Sequence, residues 1–323
     1  MIVSKTPLRI SFSGGGTDIE SYYSSNTGIV ISSTINKYIY VTVKKHTSFF
    51  NEKIRLNYSE VETVNSVDDI VNDIARECIK FLKIDSPLYI STIADLPSGS
   101  GLGSSSSFAV GLLNALHAYN GNSVSSAQLA EEAAYIEIRA LKANIGKQDQ
   151  YSASFGGLNK IIFNTNGHVS IEPYVAIEKK IFNSLMLFWT GISRDASAVL
   201  ESQDKNKYNN KGYLDEIKSC AYEMNDMLLT KFSLEHFGSL LHKNWENKRK
   251  LSDQITDSKL DEYYQLALNA GAIGGKLLGA GGGGFFAFVV PEGKRDSVRR
   301  ALSKLNELCI EHEPIGSSII LNE

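Results

Sequence analysis

A segment rich in glycine and serine places the strongest constraint on how this chain folds. It reads Leu96-Pro-Ser-Gly-Ser-Gly-Leu-Gly-Ser-Ser-Ser-Ser107, and it stands between a predicted strand over 88–94 and an amphipathic helix predicted from Ser104. Its glycines allow successive backbone N–H groups to face one point, where a helix N-terminus adds free N–H groups and the positive end of its dipole. The order of strand, turn and helix therefore predicts a phosphate-binding loop.

This segment differs from the two commonest nucleotide-binding loops. No Gly-Lys-Ser or Gly-Lys-Thr ends it, as in a Walker loop, and it does not match the dinucleotide-binding GxGxxG pattern. The hydroxyl groups of Ser104 and Ser105 are candidate ligands of a phosphate oxygen or of Mg²⁺. The alternative is a flexible turn without a ligand, which does not explain the order of the three elements.

A second glycine-rich turn lies in Pro7-Leu-Arg-Ile-Ser-Phe-Ser-Gly-Gly-Gly-Thr-Asp18. An alternating strand runs into three glycines, which let the backbone approach a ligand closely. Asp18 can accept hydrogen bonds from the hydroxyl groups of a sugar. The alternative is that Asp18 caps a helix beginning near Ile19, and these residues alone leave both interpretations open.

One acidic residue lies within a predicted helix over 126–143, and a second lies shortly after it. Glu137 lies near the edge of the buried face of that helix, and Asp149 stands twelve residues later, within Gly146-Lys-Gln-Asp-Gln150. Phosphoryl transfer uses one carboxylate to accept the proton of the acceptor hydroxyl and another to hold Mg²⁺. The alternative is a polar loop beside a surface glutamate.

The segment Gly274-Gly-Lys-Leu-Leu-Gly-Ala-Gly-Gly-Gly-Gly-Phe285 is too dense in glycine to stabilise a helix or a strand by itself. Such a segment allows two backbones to approach closely, either between domains or against a ligand. The alternative is a role in packing alone.

The composition excludes several classes of protein. The chain is 42% hydrophobic and 21% charged, as in globular proteins, and its net charge of -3 argues against a nucleic-acid-binding protein. Its scattered cysteines, Cys78, Cys220 and Cys309, favour buried thiols in a reducing compartment over disulfides or a zinc site. We find no signal-peptide pattern and no run of about 20 apolar residues. The sequence thus predicts a cytoplasmic protein with no membrane partner.

The length of 323 residues predicts two domains, with a boundary near residue 175. The first 60 residues are rich in β-formers, with a long strand over 28–46, and a helix is predicted over 66–82. The second half is mostly helical. Its predicted elements are helices over 211–230, 235–250 and 257–269, a strand over 285–290, a helix over 294–310 and a strand near 313–320.

The segments over 7–18, 96–107 and 274–285 resemble the three characteristic motifs of the GHMP kinase superfamily, in the same order. The resemblance covers almost the whole chain and implies an α+β fold. It implies an ATP-binding domain like ribosomal protein S5 over 1–175 and a ferredoxin-like domain over 176–323. It also implies an active site in the cleft between them, with ATP as phosphate donor and Mg²⁺ as metal.

By motif position, the resemblance implies roles for individual residues. Asp149 matches the catalytic aspartate, and Arg9 matches the basic residue near that aspartate and the transferred phosphate. Ser105, or its neighbour Ser104, and Glu137 would hold Mg²⁺. The residues implied around the ATP phosphates are Pro97, Ser98, Gly99, Ser100, Gly101, Leu102, Gly103, Ser104 and Ser105.

The same resemblance implies which residues bind the acceptor sugar. Asp18 matches the sugar-binding aspartate of galactokinases, and the third motif supports the phosphate loop and the substrate side. Lys147, Arg194 and Lys276 are candidate cations for a second phosphate, with solvated surface charges as the alternative. The residues implied here are Gly15, Gly16, Thr17, Asp18, Lys147, Arg194, Gly281 and Gly282.

Finer features are similar to the bacterial heptose kinases. These are the Gly-Gly-Gly-Thr-Asp form of the first motif, the Gly-Lys-Gln-Asp-Gln segment and Thr190-Gly-Ile-Ser-Arg-Asp-Ala196. Those enzymes phosphorylate O1 of D-glycero-D-manno-heptose 7-phosphate to the 1,7-bisphosphate, on the way to GDP-heptose for surface polysaccharides. Fucokinases have a similar first motif and serine-rich loop, whereas galactokinases carry Gly-Glu-His-Thr-Asp, which argues against galactose.

The resemblance therefore favours an ATP-dependent sugar 1-kinase acting on a sugar phosphate. The alternatives are a fucokinase or another sugar 1-kinase, a non-catalytic nucleotide- or sugar-binding module, and a decarboxylase of the mevalonate diphosphate type. A non-catalytic relative has no need for both Glu137 and Asp149 beside the phosphate loop. A homodimer through a sheet edge or a helix face would leave no clear pattern in the sequence, so the oligomeric state stays open.

Overall fold

The computed structural model describes residues 1–85, 87–193, 199 and 207–323. Its strands are β1 Ile2–Ser13, β2 Gly28–Lys45, β3 Ile54–Asn57, β4 Val61–Val64, β5 Leu88–Ala94, β6 Leu158–Phe163, β7 Val169–Pro173, β8 Leu185–Trp189, β9 Gly274–Leu277, β10 Phe285–Val289, β11 Asn306–Leu308 and β12 Ser318–Asn322. Its helices are α1 Glu20–Tyr23, α2 Asp73–Phe81, α3 Ser104–Tyr119, α4 Ser126–Ala134, α5 Gln148–Phe155, α6 Glu178–Ser184, α7 Lys207–Leu229, α8 Leu234–Lys248, α9 Ser258–Asn269 and α10 Arg295–Ala301.

The larger sheet has the order β12-β1-β2-β5-β3-β4, with β6 and β7 attached through β2. Strand β2 is 18 residues long, because β-branched and aromatic residues dominate its sequence. It pairs with β6 through residues 28–33 and with β5 through residues 39–45. Helix α3 packs against β1 and β2 with side chains buried all around it, which holds the loop before the helix in a fixed position.

The smaller sheet is antiparallel, in the order β11-β8-β10-β9. Helix α8 packs against β9 and β10, and its Trp245 is buried in one core cluster with Phe286 and Phe288. The same helix also contacts β1 of the larger sheet. The end of α8 is therefore held where the two sheets meet, and this mixed architecture confirms the predicted α+β fold.

The chain returns to the larger sheet at its end, because β12 pairs antiparallel with β1. The division into 1–175 and 176–323 remains a prediction, and the last strand lies in the sheet of the first part rather than the second. In the described ranges, no helix is long and apolar enough to cross a membrane.

Two predicted helices and one predicted buried cysteine differ from the structure. The helix predicted over 294–310 is wrong beyond Ala301, since residues 306–308 pair with β8 instead. The helix predicted over 66–82 begins only at Asp73, where the Asn72 side chain accepts a hydrogen bond from the Ala75 N–H group. Among the cysteines, Cys309 is exposed rather than buried.

Candidate active site

The phosphate loop predicted from the sequence forms a tight turn at the start of α3. Gly99, Gly101 and Gly103 have φ values of 70°, 81° and 78°, in the left-handed region that favours glycine. Gly103 is the N-cap of α3, and no side chain caps this helix. The first N–H groups of α3 are therefore free to bind an anion.

The loop is held by the glycine-rich third motif through backbone contacts. A Cβ atom at Gly279 would lie 2.5 Å from Gly101 Cα, and one at Gly284 would lie 2.6 Å from the Ser100 oxygen. The Phe285 N–H group donates to the same Ser100 oxygen at 3.2 Å. Glycine is needed here because the two segments touch without room for side chains.

The loop forms one wall of a cleft of about 550 Å³ between the two sheets. The turn Gly14–Asp18 and the residues after Ala143 form other walls, and the ends of α8 and β9 face them. The predicted site residues that line the cleft are Arg9, Gly15, Gly16, Asp18, Ser98, Gly99, Gly101, Gly103, Ser104, Ser105, Glu137, Asp149 and Lys276.

Arg9 and Asp149 form a two-point ion pair at this cleft. The Arg9 Nε atom donates to Asp149 Oδ1 at 2.7 Å, and Arg9 Nη2 donates to Asp149 Oδ2 at 2.6 Å. A third bond, of 2.7 Å, joins Arg9 Nη1 to the Gly101 oxygen of the phosphate loop. A Cβ atom at Gly103 would lie 3.3 Å from Asp149 Oδ2, so the pair lies directly beside the N-terminus of α3. The predicted catalytic pair, 140 residues apart in sequence, thus meets at the phosphate loop.

Asp18 is buried in the cleft beside the segment that carries Asp149, and backbone N–H groups hold its carboxylate. Oδ1 accepts from Gly16 at 2.9 Å, and Oδ2 accepts from Gln148 at 3.1 Å. Burial raises the pKa of Asp18, and the nearby charge of Asp149 raises it further, while these hydrogen bonds act against the increase. The helix-cap alternative is wrong, because α1 has Ile19 as its N-cap and no side-chain cap.

Glu137 reaches the phosphate loop from a π-helical turn, Tyr135–Ala140, that interrupts the helix predicted over 126–143. Its Oε1 accepts from Ser105 Oγ at 2.7 Å, and its Oε2 accepts from Gln150 Nε2 at 2.5 Å. Burial raises the pKa of Glu137, with the hydrogen bonds acting in the opposite direction. Glu137 is thus a buried glutamate in the cleft rather than a surface residue.

Other predicted acceptor residues lie away from the cleft. The Thr17 hydroxyl group donates within its own turn, to the Gly14 oxygen at 2.8 Å. The Lys147 ammonium group donates to the Gly167 oxygen at 3.5 Å and faces the Tyr23 ring, so it points away from the proposed phosphates.

The remaining predicted residues either do not line the cleft or lie outside the described part of the chain. Gly281 and Gly282 pack against Ile255, and Pro97, Ser100 and Leu102 belong to the phosphate loop without lining the cleft. Arg194 lies outside the described residues.

The structure adds cleft residues that sequence reasoning missed. Ser11 and Gln148 line the cleft, and Ser11 Oγ and Gln148 Oε1 are buried without a hydrogen-bond partner in the described part of the chain. Lys248, at the end of α8, also lines it. Ser11 and Gln148 each lie within a motif recognised from sequence, whereas Lys248 belongs to no motif, so only its burial reveals it.

Comparisons with known proteins agree with this geometry. The family model "GHMP kinases N terminal domain" matches residues 68–157, and "GHMP kinases C terminal" matches residues 228–308. A D-glycero-alpha-D-manno-heptose 7-phosphate kinase of Campylobacter jejuni is 33% identical over 94% of this chain and 93% of its own. The solved structure of a D-glycero-D-manno-heptose 1-phosphate kinase from Bacteroides thetaiotaomicron has a TM-score of 0.80 and 26% identity, covering 99% of each chain. An L-fucokinase/L-fucose-1-P guanylyltransferase of Bacteroides fragilis is 23% identical over 90% of this chain and 35% of its own.

Proposed function

The chain belongs to the GHMP kinases and is a sugar kinase that uses ATP to phosphorylate a hydroxyl group; we propose that its acceptor is D-glycero-D-manno-heptose 7-phosphate. The reaction would place the new phosphate on O1 and form the 1,7-bisphosphate, a precursor of GDP-heptose for surface polysaccharides. The name of the Campylobacter jejuni relative supports this acceptor. The non-catalytic module and the decarboxylase are not supported, because the Campylobacter jejuni relative, which matches almost the whole chain, is a sugar phosphate kinase.

The observation that carries the mechanism is the position of the Arg9–Asp149 pair. It lies between the phosphate loop, where Arg9 also contacts Gly101, and Asp18 on the acceptor side of the same cleft. We propose that Asp149 accepts a hydrogen bond from the acceptor hydroxyl group and takes its proton. Arg9 would stabilise the negative charge of the transferring phosphoryl group, which moves in line from the β-phosphate oxygen of ATP to the acceptor oxygen.

We propose that Ser11, Asp18 and Gln148, which line the cleft, bind the sugar. The Asp18 carboxylate can accept hydrogen bonds from hydroxyl groups, and neither Ser11 Oγ nor Gln148 Oε1 has a hydrogen-bond partner among the residues that the structure describes. Each of these buried polar atoms would gain a partner when a polyol enters the cleft.

Ser105 and Glu137 fit a magnesium ion. Their oxygen atoms are 2.7 Å apart at the start of α3, and Mg²⁺ prefers oxygen ligands. Within the described ranges, no group of three or more His, Cys, Asp or Glu side chains could hold a metal. Mg²⁺ commonly binds through one or two carboxylates together with substrate phosphates. The ion would neutralise charge on the phosphates of ATP.

Replacing Glu137 with glutamine tests this assignment. We expect Glu137→Gln to raise the Mg²⁺ concentration for half-maximal activity at least about tenfold, because a neutral amide is a weaker ligand than a carboxylate. Initial rates over a series of free Mg²⁺ concentrations measure the effect. Glu132→Gln is the matched control, since Glu132 bonds to His117 outside the cleft. An unchanged Mg²⁺ dependence in Glu137→Gln would contradict the assignment.

The acceptor is tested by measuring ADP release with a panel of sugars and sugar phosphates in the presence of Mg²⁺. We expect turnover with D-glycero-D-manno-heptose 7-phosphate, and phosphorus NMR of the product should show a second phosphate coupled to the anomeric proton. Turnover with L-fucose, and none with the heptose phosphate, would contradict the proposed acceptor. That outcome would favour the fucokinase alternative, which the Bacteroides fragilis relative supports.

A further inference from the structure

Two buried lysines line the same cleft as the Arg9–Asp149 pair. Lys248 is the last residue of α8, and Lys276 lies in the neighbouring strand β9. Only 8% of Lys248 and 3% of Lys276 is exposed, although both line the cleft. Buried lysines are rare, because an ammonium group loses its hydration when it is removed from water.

Neither lysine is neutralised by a carboxylate in the part of the chain that the structure describes. The Lys276 Nζ atom donates to the Phe12 oxygen at 3.2 Å. The Lys248 Nζ atom donates to the Leu277 oxygen at 3.3 Å and also to the Gly279 oxygen. Arg9 shares its charge with Asp149, whereas the two lysines have only neutral carbonyl partners there.

Burial of the two lysines disfavours the charged form of each ammonium group. Burial lowers the pKa of Lys248 to about 7, with a further contribution from the positive charge of Arg9. Burial also lowers the pKa of Lys276 well below its ordinary value, and the charges of Lys248 and Arg9 lower it further. A bound anion would relieve both effects, and strongly perturbed groups that face a cleft often belong to a functional site.

The contacts of the two lysines reach both the first motif and the third motif, which packs against the phosphate loop. Lys276 holds the oxygen of Phe12, the residue that follows Ser11 in β1. Asn244, one turn before Lys248 in α8, accepts hydrogen bonds from Ser13 Oγ at 3.1 Å and from the Gly14 N–H group at 3.3 Å. The lysine-bearing elements are thus attached to the start of the turn that leads to Asp18. The ATP phosphates already have the glycine loop and the α3 N-terminus.

We propose that the ammonium groups of Lys248 and Lys276 bind the phosphate that the acceptor sugar already carries. This inference rests on the proposed function, because it requires a phosphorylated acceptor. Lys276 was already a candidate for this phosphate from its motif position, and the structure adds Lys248 beside it. The two lysines would select a sugar phosphate over the free sugar, in place of Lys147, whose ammonium group bonds to Gly167.

The test compares kcat/KM for D-glycero-D-manno-heptose 7-phosphate and for the unphosphorylated heptose in Lys248→Met and Lys276→Met. Methionine removes the charge and keeps a long apolar stem. We expect the preference for the phosphorylated acceptor to fall at least about tenfold in each variant, because each variant loses a charge-assisted hydrogen bond to the phosphate. Lys243→Met is the matched control, because Lys243 lies exposed on the same helix and pairs with Glu223.

Equal losses with both acceptors, seen in kcat, would overturn the proposal and assign the lysines to the transferring phosphate. An unchanged preference without any loss would also overturn it. The wild-type enzyme could instead phosphorylate another sugar phosphate, such as mannose 6-phosphate. In that case the ratio of kcat/KM for that sugar phosphate to kcat/KM for the corresponding free sugar is measured. The proposed acceptor would then be wrong while the lysine proposal is still tested. A wild-type enzyme that uses only free sugars contradicts both.

Thermal unfolding separates ligand binding from a purely structural role. Saturating heptose 7-phosphate should raise the Tm of the wild-type enzyme by mass action and raise that of Lys248→Met much less. Without ligand, the Tm of Lys248→Met at pH 7 should not fall, because the lowered pKa means that folding disfavours the charged form of Lys248. A lower Tm without ligand, combined with an unchanged response to the sugar phosphate, would assign Lys248 a structural role only.

Discussion

Asp149→Asn is expected to lower kcat at least about 100-fold, with the affinity for ATP changed by less than about threefold. Asparagine keeps the shape of the side chain and one oxygen for Arg9, but it cannot take a proton from the acceptor hydroxyl group. It also leaves the buried Arg9 guanidinium without its negative partner, so we expect a lower Tm. Steady-state kinetics and direct ATP binding on the same preparation separate the loss of catalysis from a loss of fold.

The control for this prediction is a second Arg–Asp pair away from the cleft. Asp261 binds Arg249 on the surface of the molecule, so Asp261→Asn should retain wild-type kcat. A kcat of Asp149→Asn within about tenfold of wild type would remove Asp149 from the proton-transfer role. Catalysis in the cleft would then rest on substrate positioning and charge stabilisation alone.

Gly146→Ala is expected to lower kcat/KM for the acceptor at least about 100-fold, mainly through KM, with little change in the KM for ATP. A Cβ atom at this position would lie 1.9 Å from Asp18 Oδ2 and 2.3 Å from Asp18 Cγ. Asp18 cannot move aside without losing the bonds that its carboxylate accepts from Gly16 and Gln148. The single methyl group therefore displaces the proposed sugar ligand, and kinetics with each substrate varied in turn measure the effect.

Gly212→Ala is the matched control, because a Cβ atom there meets nothing within 4 Å. Gly212 lies in α7, where alanine should stabilise the helix by about 0.5–1 kcal/mol. Unchanged acceptor kinetics in Gly146→Ala would mean that Asp18 tolerates displacement and does not bind the sugar.

The sequence determined the local elements and the chemistry that they carry. The strand over 88–94, the glycine turn and the helix from Ser104 were predictable because residue propensity, hydrophobic pattern and turn residues are local features of the sequence. The motif order also identified Arg9, Asp18, Glu137 and Asp149, and the structure places all four at one cleft. Their catalytic and binding roles stay predictions until the variants are measured.

Only the tertiary structure decided which lysines face that cleft. Lys147 lies inside a recognised motif, yet its ammonium group bonds to Gly167, whereas Lys248 lies in no motif and lines the cleft. Residue spacing along a helix or loop indicates which side is buried, but not which distant element will cover it. Lys248 is buried because α8 packs against β9 and contacts β1. The contact with β1 joins Ser13 to Asn244, which are 231 positions apart in the sequence. The same reason accounts for the return of β12 to β1, since strand pairing across the whole chain leaves no local pattern in the sequence.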